Sequence, residues 1–261
     1  PTLTEVQINA VAELYTSGKL DEAIAEIKSL NKDYPNVPLL FNILGACYQA
    51  KGLLIDSAQM FETATKIKPD YAEAHFNLGV VLKASGKIKE AIECYKKAIY
   101  LVPNYPAAHN NLGNLYKDLN QSNEAIESYK KALKIQPNFA QAHNNLGNAF
   151  KDLERPDDAI KSYKKAIEIK SDFAEAFYNL GISLKKIRNL DEAIISLNEA
   201  IALKPSFAEA HNNLGSCFTL LGQISKAVVC YKNALNIKPD YAEAHNNLGN
   251  ALNLIGRVKS A

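Results

Sequence analysis

Apolar residues recur along this chain at spacings of three and four, in blocks of about fourteen residues, and each block is closed by a turn signal. In the stretch AEAHFNLGVVLKASG, Ala74, His75, Leu78, Gly79 and Leu82 share one face of a predicted helix, which Gly86 ends. In KIKEAIECYKKAIYLVP, Ala91, Ile92, Tyr95, Ala98 and Ile99 share one face of a second helix, which Pro103 ends. The pattern then starts again.

The period is 34 residues, without insertion or loss. Asn-Leu-Gly ends at Gly79, Gly113, Gly147, Gly181, Gly215 and Gly249, and Ile-Leu-Gly ends at Gly45. Such a period marks a stack of like units, each burying its apolar face against its neighbours. Seven full copies run over residues 4–241 and a partial eighth over 242–261, read as one solenoid domain over residues 1–261. In the first copy Val11 replaces Gly and Leu30 replaces Ala, as an amino-terminal cap would. In the copy starting at Ala174, Ser171 precedes in place of Pro and Leu197 replaces Tyr, so a changed stacking angle or greater mobility is expected there.

Glycine inside a helix costs about 1 kcal/mol relative to alanine, so its return at one place needs a packing reason. The small series Ala91, Ala125, Ala159, Ala193 and Ala227 on the second helices is expected to face it. Asp70-x-x-Glu73, Asp172-x-x-Glu175, Ser206-x-x-Glu209 and Asp240-x-x-Glu243 have the form of a capping box at the start of the first helix.

The period, the Leu-Gly of the first helix, the Ala and Tyr of the second and the closing Pro35, Pro69, Pro103, Pro137, Pro205 and Pro239 resemble the tetratricopeptide repeat (TPR) family. The family's usual Trp is His at 75, 109, 143, 211 and 245, and Phe at 41 and 177. The resemblance implies an all-α, right-handed superhelical solenoid of antiparallel helix pairs. It also implies a concave groove, lined by the first helices, that binds a protein or an extended peptide.

Asn77, Asn111, Asn145, Asn179, Asn213 and Asn247 hold one repeat position. Asparagine is a poor helix-interior residue, and a carboxamide both donates and accepts. A row of them suits a peptide backbone, and the superhelical arm of O-GlcNAc transferase is similar. Asn114 and Asn148 lie beside the row, and Lys117 and Lys151 are placed at the groove's edge. The expected function is a protein-interaction scaffold that holds an extended segment through this ladder. The alternative is the substrate-recognition arm of a larger, O-GlcNAc transferase-like glycosyltransferase, since the eighth copy stops inside its second helix. The same unfinished end is a candidate surface for self-association.

Charge changes the picture little. Thirty basic and 28 acidic residues give a net charge of +2, which gives nucleic acid or a membrane surface no long-range attraction. No apolar run approaches the ~20 residues of a membrane span. The chain starts at Pro1 without Met, read as a processing boundary. Cys47, Cys94, Cys217 and Cys230 read as small buried residues in a reducing compartment, the cytoplasm, although Cys217 and Cys230 face each other across one repeat. The five His recur one repeat apart, too far for a shared metal. They read as packing residues with one hydrogen-bond partner each. No nucleophile elbow, phosphate loop or metal cluster is present, so no catalytic residue or cofactor is assigned and the chain is read as a non-enzyme.

Overall fold

The computed structural model describes residues 3–259, with side chains to residue 256. Fifteen α-helices and no strand occur among the described residues. They divide into two compact units at Leu119 and Asn120.

The first unit holds α1 (Glu5–Thr16), α2 (Leu20–Asp33), α3 (Pro38–Ala50), α4 (Leu54–Ile67), α5 (Ala72–Ala84), α6 (Ile88–Leu101) and α7 (Pro106–Asp118). Each helix packs on its successor, and α3 also meets both α1 and α5. Helices of 12 to 14 residues are marginal alone in water, so these contacts hold them. Val11, Ile27, Leu30, Leu40, Leu44 and Cys47 form one core; Phe61, Leu78, Val81, Leu82, Tyr95 and Leu115 form the next.

The second unit holds α8 (Ser122–Ile135), α9 (Ala140–Asp152), α10 (Pro156–Ile169), α11 (Ala174–Lys186), α12 (Leu190–Leu203), α13 (Ala208–Leu220), α14 (Ile224–Ile237) and α15 (Ala242–Lys259). Successive helices pack again. The odd-numbered helices also form their own row, α9 on α11, α11 on α13 and α13 on α15.

The alanines of the small series are fully buried, but the side chains nearest the glycines are larger. A Cβ on Gly79, Gly147 or Gly215 would strike the ring of Tyr95, Tyr163 or Tyr231. The glycine makes room for an aromatic face, which carries more buried apolar area than an alanine–alanine contact. At Gly181 the opposing side chain is Leu197, with the Ala193 carbonyl beside it, so the departure there is a size change in the same slot.

The capping boxes do not form. The N-caps of α5, α11 and α13 fall one residue later than the sequence pattern implies. Tyr71, Phe173 and Phe207 cap α5, α11 and α13 without a side-chain bond. The one capping box among the described residues joins Thr4 and Gln7. Glu73 and Glu243, expected to close two of the others, serve a different contact, described below. The turn after each odd-numbered helix takes a left-handed residue: Gly18, Gly52, Gly86 and Gly222, but also Asn120, Glu154 and Arg188. The four cysteines are free.

Candidate peptide-binding face

Within each unit the odd-numbered helices carry the candidate site residues, whose side chains are held in place by contacts from one repeat to the next. Each histidine sits near the start of its helix and reaches the carbonyl of the proline that closes the preceding copy. The Nε2 distances are 3.0 Å (His75–Pro69), 3.1 Å (His109–Pro103), 2.9 Å (His143–Pro137), 3.3 Å (His211–Pro205) and 2.8 Å (His245–Pro239). A carbonyl only accepts, so Nε2 carries the proton. Each ring is thereby committed to local structure. Where the proline is Ser171, the histidine is Phe177, so both members of the pair are replaced together.

The repeat position just before the ladder supplies an inter-repeat connector where it is a buried asparagine, as at Asn42, Asn144 and Asn212. Asn42, Asn110, Asn144 and Asn212 are buried. Asn77 donates from Nδ2 to Asn42 Oδ1 at 3.1 Å, and Asn42 donates in turn to Glu73 Oε1 at 3.2 Å. The second unit repeats this: Asn247 donates to Asn212 at 3.0 Å, and Asn212 donates to Glu243 at 2.9 Å. Asn179 donates to Asn144 at 3.1 Å. Glu73 and Glu243, expected in capping boxes, therefore tie neighbouring helices together.

Two copies place an aromatic residue at the connector position, and the next ladder residue changes its partners. Phe76 stacks on Tyr105 with ring centroids 4.9 Å apart, and Asn111 donates to Tyr95 Oη at 3.4 Å. Tyr178 packs on Phe207 at 4.6 Å. Asn213 then donates to Tyr178 Oη and to the Glu209 carbonyl and accepts from Lys185 Nζ at 2.6 Å.

An open recess of about 580 Å³ lies on this face of the second unit. Asn145 and Asn148 of α9 and Asn179 of α11 meet there, together with Asn144, Gln141 and Glu175. Lys170, Asp172 and Phe173, from the connection between α10 and α11, complete the wall. Asn145 is 8% exposed and accepts from Gln141 at 3.1 Å; Asn148 accepts from Tyr163 Oη at 2.9 Å. The arrangement combines carboxamide donors and acceptors with both signs of charge at the mouth.

The other ladder members lie elsewhere. Asn213 and Asn247 belong to α13 and α15. Asn77, Asn111, Asn114 and Lys117 belong to the first unit, the last three on α7. Lys151 lines a separate crevice of about 20 Å³ with Glu154, Pro156, Ile182, Ser183 and Lys186. The lysines of this series bridge repeats: Lys83 lies 3.6 Å from Asp118, and Lys185 holds Asn213. Lys170, Asp172 and Phe173 of the recess were missed from the sequence. The Lys-x-x-aromatic that closes four of the copies was their signal, since Lys68, Lys204 and Lys238 also sit over the ring three residues on.

The described thiols favour the protonated form. Burial pushes Cys94 and Cys230 up to about 11, and raises Cys47 and Cys217 as well. No helix among the described residues is long and apolar enough to cross a membrane.

Comparison with known proteins gives the context for this geometry. No curated protein matches the chain. Among solved structures, a chain of the APC/C hetero-tetramer Cut9-Hcn1 aligns with a TM-score of 0.76 and 20% identity over 97% of this chain and 50% of that one, so the present chain spans about half its length. YrrB, described as a TPR protein with an unusual peptide-binding site, aligns with a TM-score of 0.62 and 25% identity, over 72% of this chain and 97% of YrrB. MamA aligns with a TM-score of 0.59 and 30% identity over 64% of this chain and 97% of MamA. The family model for the TPR repeat matches residues 81–120, 113–154, 147–187, 189–219 and 215–256, more than half of the chain. The chain therefore belongs to the TPR repeat family and has its all-α superhelical repeat fold.

Proposed function

We propose that this chain is a protein-interaction scaffold that captures an extended peptide segment along the face of its odd-numbered helices. The observation that carries the reading is the recess in which Asn145, Asn148 and Asn179 converge with Lys170, Asp172 and Glu175. Its size suits a few residues of extended chain, and its carboxamides suit the amide groups of a peptide backbone. Backbone contacts set affinity with little dependence on the guest's sequence, while the charged mouth selects among guests. The walls are built from helices held by inter-repeat bonds, so binding costs little ordering of the scaffold. Membership in the TPR family and the likeness to YrrB, a peptide-binding protein by its description, support the same reading.

The test is fluorescence anisotropy with 12-residue peptides recovered from a random display library on the full chain. The Asn145→Ala/Asn179→Ala variant is expected to bind every such peptide about tenfold or more weakly, with its helix content unchanged by circular dichroism. Unchanged affinity throughout the set would remove this recess from the mechanism.

A further inference from the structure

The connector bonds fix which end of a ladder carboxamide is left for a guest. A carboxylate accepts and does not donate. Glu73 therefore turns the amino group of Asn42 toward itself, at 3.2 Å. The oxygen of Asn42 must then point the other way, where it receives the amino group of Asn77 at 3.1 Å. The second unit gives the same result independently, with Glu243, Asn212 and Asn247 at 2.9 and 3.0 Å. Rotating either connector amide would set oxygen against carboxylate and amino group against amino group. That forfeits a charge-assisted bond and leaves a buried polar group unmatched, Asn212 being 0% exposed. In both relays the ladder residue spends its nitrogen, and its oxygen accepts from no other described residue.

The aromatic connectors produce the opposite state. After Tyr178, Asn213 is occupied at both ends, by Glu209 and Tyr178 at its nitrogen and by Lys185 at its oxygen. After Phe76, Asn111 donates to Tyr95 and accepts from Asn110. The ladder thus contains open and closed positions: the two aromatic connectors precede closed ones, and Asn145, whose oxygen accepts from Gln141 at 3.1 Å, is closed by its own helix.

We infer that Glu73 and Glu243 are positioning residues that set the polarity of the ladder: through Asn42 and Asn212 they hold Asn77 and Asn247 with the amide oxygen as the free group, so that these positions read backbone N–H donors of the guest. Asn179, tied through its nitrogen to Asn144, belongs to the same open class. This rests on the peptide-binding reading above. It adds that the ladder presents acceptors at Asn77 in the first unit and at Asn179 and Asn247 in the second, rather than equivalent two-way amides throughout.

Two measurements on the full chain test it separately from that reading. The first needs no guest. In a sample labelled with ¹⁵N at asparagine, the side-chain amide protons of Asn42, Asn77, Asn212 and Asn247 are expected to exchange with solvent at least about tenfold more slowly than those of exposed Asn250. Glu243→Gln, which can donate as well as accept at the same volume, should release Asn212 and Asn247 and leave Asn42 and Asn77 protected. Exchange of Asn212 and Asn247 at the Asn250 rate in the parent would overturn the inference. The second measurement uses a display-library peptide that binds, scanned by backbone N-methylation. At least two blocked N–H groups should each weaken binding about tenfold, and Glu243→Gln should shrink that penalty at one of them. A peptide that binds the parent but tolerates N-methylation at every residue would also overturn it. If no peptide binds, the peptide-binding reading fails while the exchange experiment still decides the relay.

Discussion

The ring of Tyr163 lies so close over Gly147 that a Cβ at that glycine would stand 2.5 Å from Tyr163 Cε1. Tyr163 is fully buried, so the ring has no solvent side to move into. Gly147→Ala is therefore expected to destabilise the protein by about 1–2 kcal/mol, the strain of overpacking outweighing the gain in helix propensity. Gly249 occupies the same repeat position, and a Cβ there would meet nothing within 4 Å. Gly249→Ala should stabilise by about 0.5–1 kcal/mol. Urea titrations followed by circular dichroism would show opposite shifts for the two variants.

Glu154 and Arg188 occupy left-handed turns with φ of 56° and 66°. Equivalent turns use Gly52, Gly86 and Gly222. A side chain there meets the steric penalty of the left-handed region, about 1 kcal/mol. Arg188→Gly should raise stability by about 0.5–1 kcal/mol, and Gly222→Ala should lower it by a similar or larger amount. Thermal melts of the two single variants check the pair.

Burial pushes the Tyr95 hydroxyl from its ordinary value of 10.0 up to about 12, opposed in part by the Asn111 bond. Tyr178, with burial leading and Glu209 and Glu243 adding to it, also reaches about 12. A folded value above the unfolded one means that the folded state prefers the neutral phenol. This contribution is complete below pH 10 and disappears as pH rises from 10 to 12. The absorbance at 295 nm should show a class of tyrosines ionising about two units late or together with unfolding. Ionisation of every tyrosine near pH 10 with the fold intact would contradict the burial of these rings.

Ser183 is 2% exposed and its hydroxyl has no hydrogen-bond partner. Other copies place Cys47, Val81, Leu115, Ala149, Cys217 and Ala251 at this position. The lone hydroxyl forfeits its hydration, a cost of about 1–3 kcal/mol. Ser183→Ala should consequently leave stability unchanged or raise it by up to about 1 kcal/mol, measured by denaturant titration. A loss of more than about 1 kcal/mol would mean that the hydroxyl is bonded.

The repeat period made the helices, their pairing and the buried small residues legible, because each copy restates the same apolar face. The histidine role was legible too: a fixed distance of six residues from proline to histidine is a local relation that survives in sequence. Three features were not. The ring that lies nearest the glycine was not foreseen, because Tyr163 lies sixteen residues away, on the far side of a turn whose geometry sequence does not give. Asp70 and Glu73 have capping-box spacing, but the helix starts at Ala72 and Glu73 instead meets Asn42 of the previous copy. The ladder was seen as uniform because Asn77, Asn111 and Asn213 are chemically identical. Their difference arises from Asn42, Phe76 and Tyr178, residues about 35 positions back.

Capture of a peptide on the odd-numbered helices is tested most sharply by side-chain and backbone amide NMR of the full chain during titration with a bound library peptide. Shifts are expected to concentrate at the carboxamides of Asn145, Asn148 and Asn179 and at the backbone of residues 170–175. Shifts confined to the even-numbered helices, around exposed Ile195 of α12 and Val229 of α14, with the asparagine carboxamides unmoved, would contradict it.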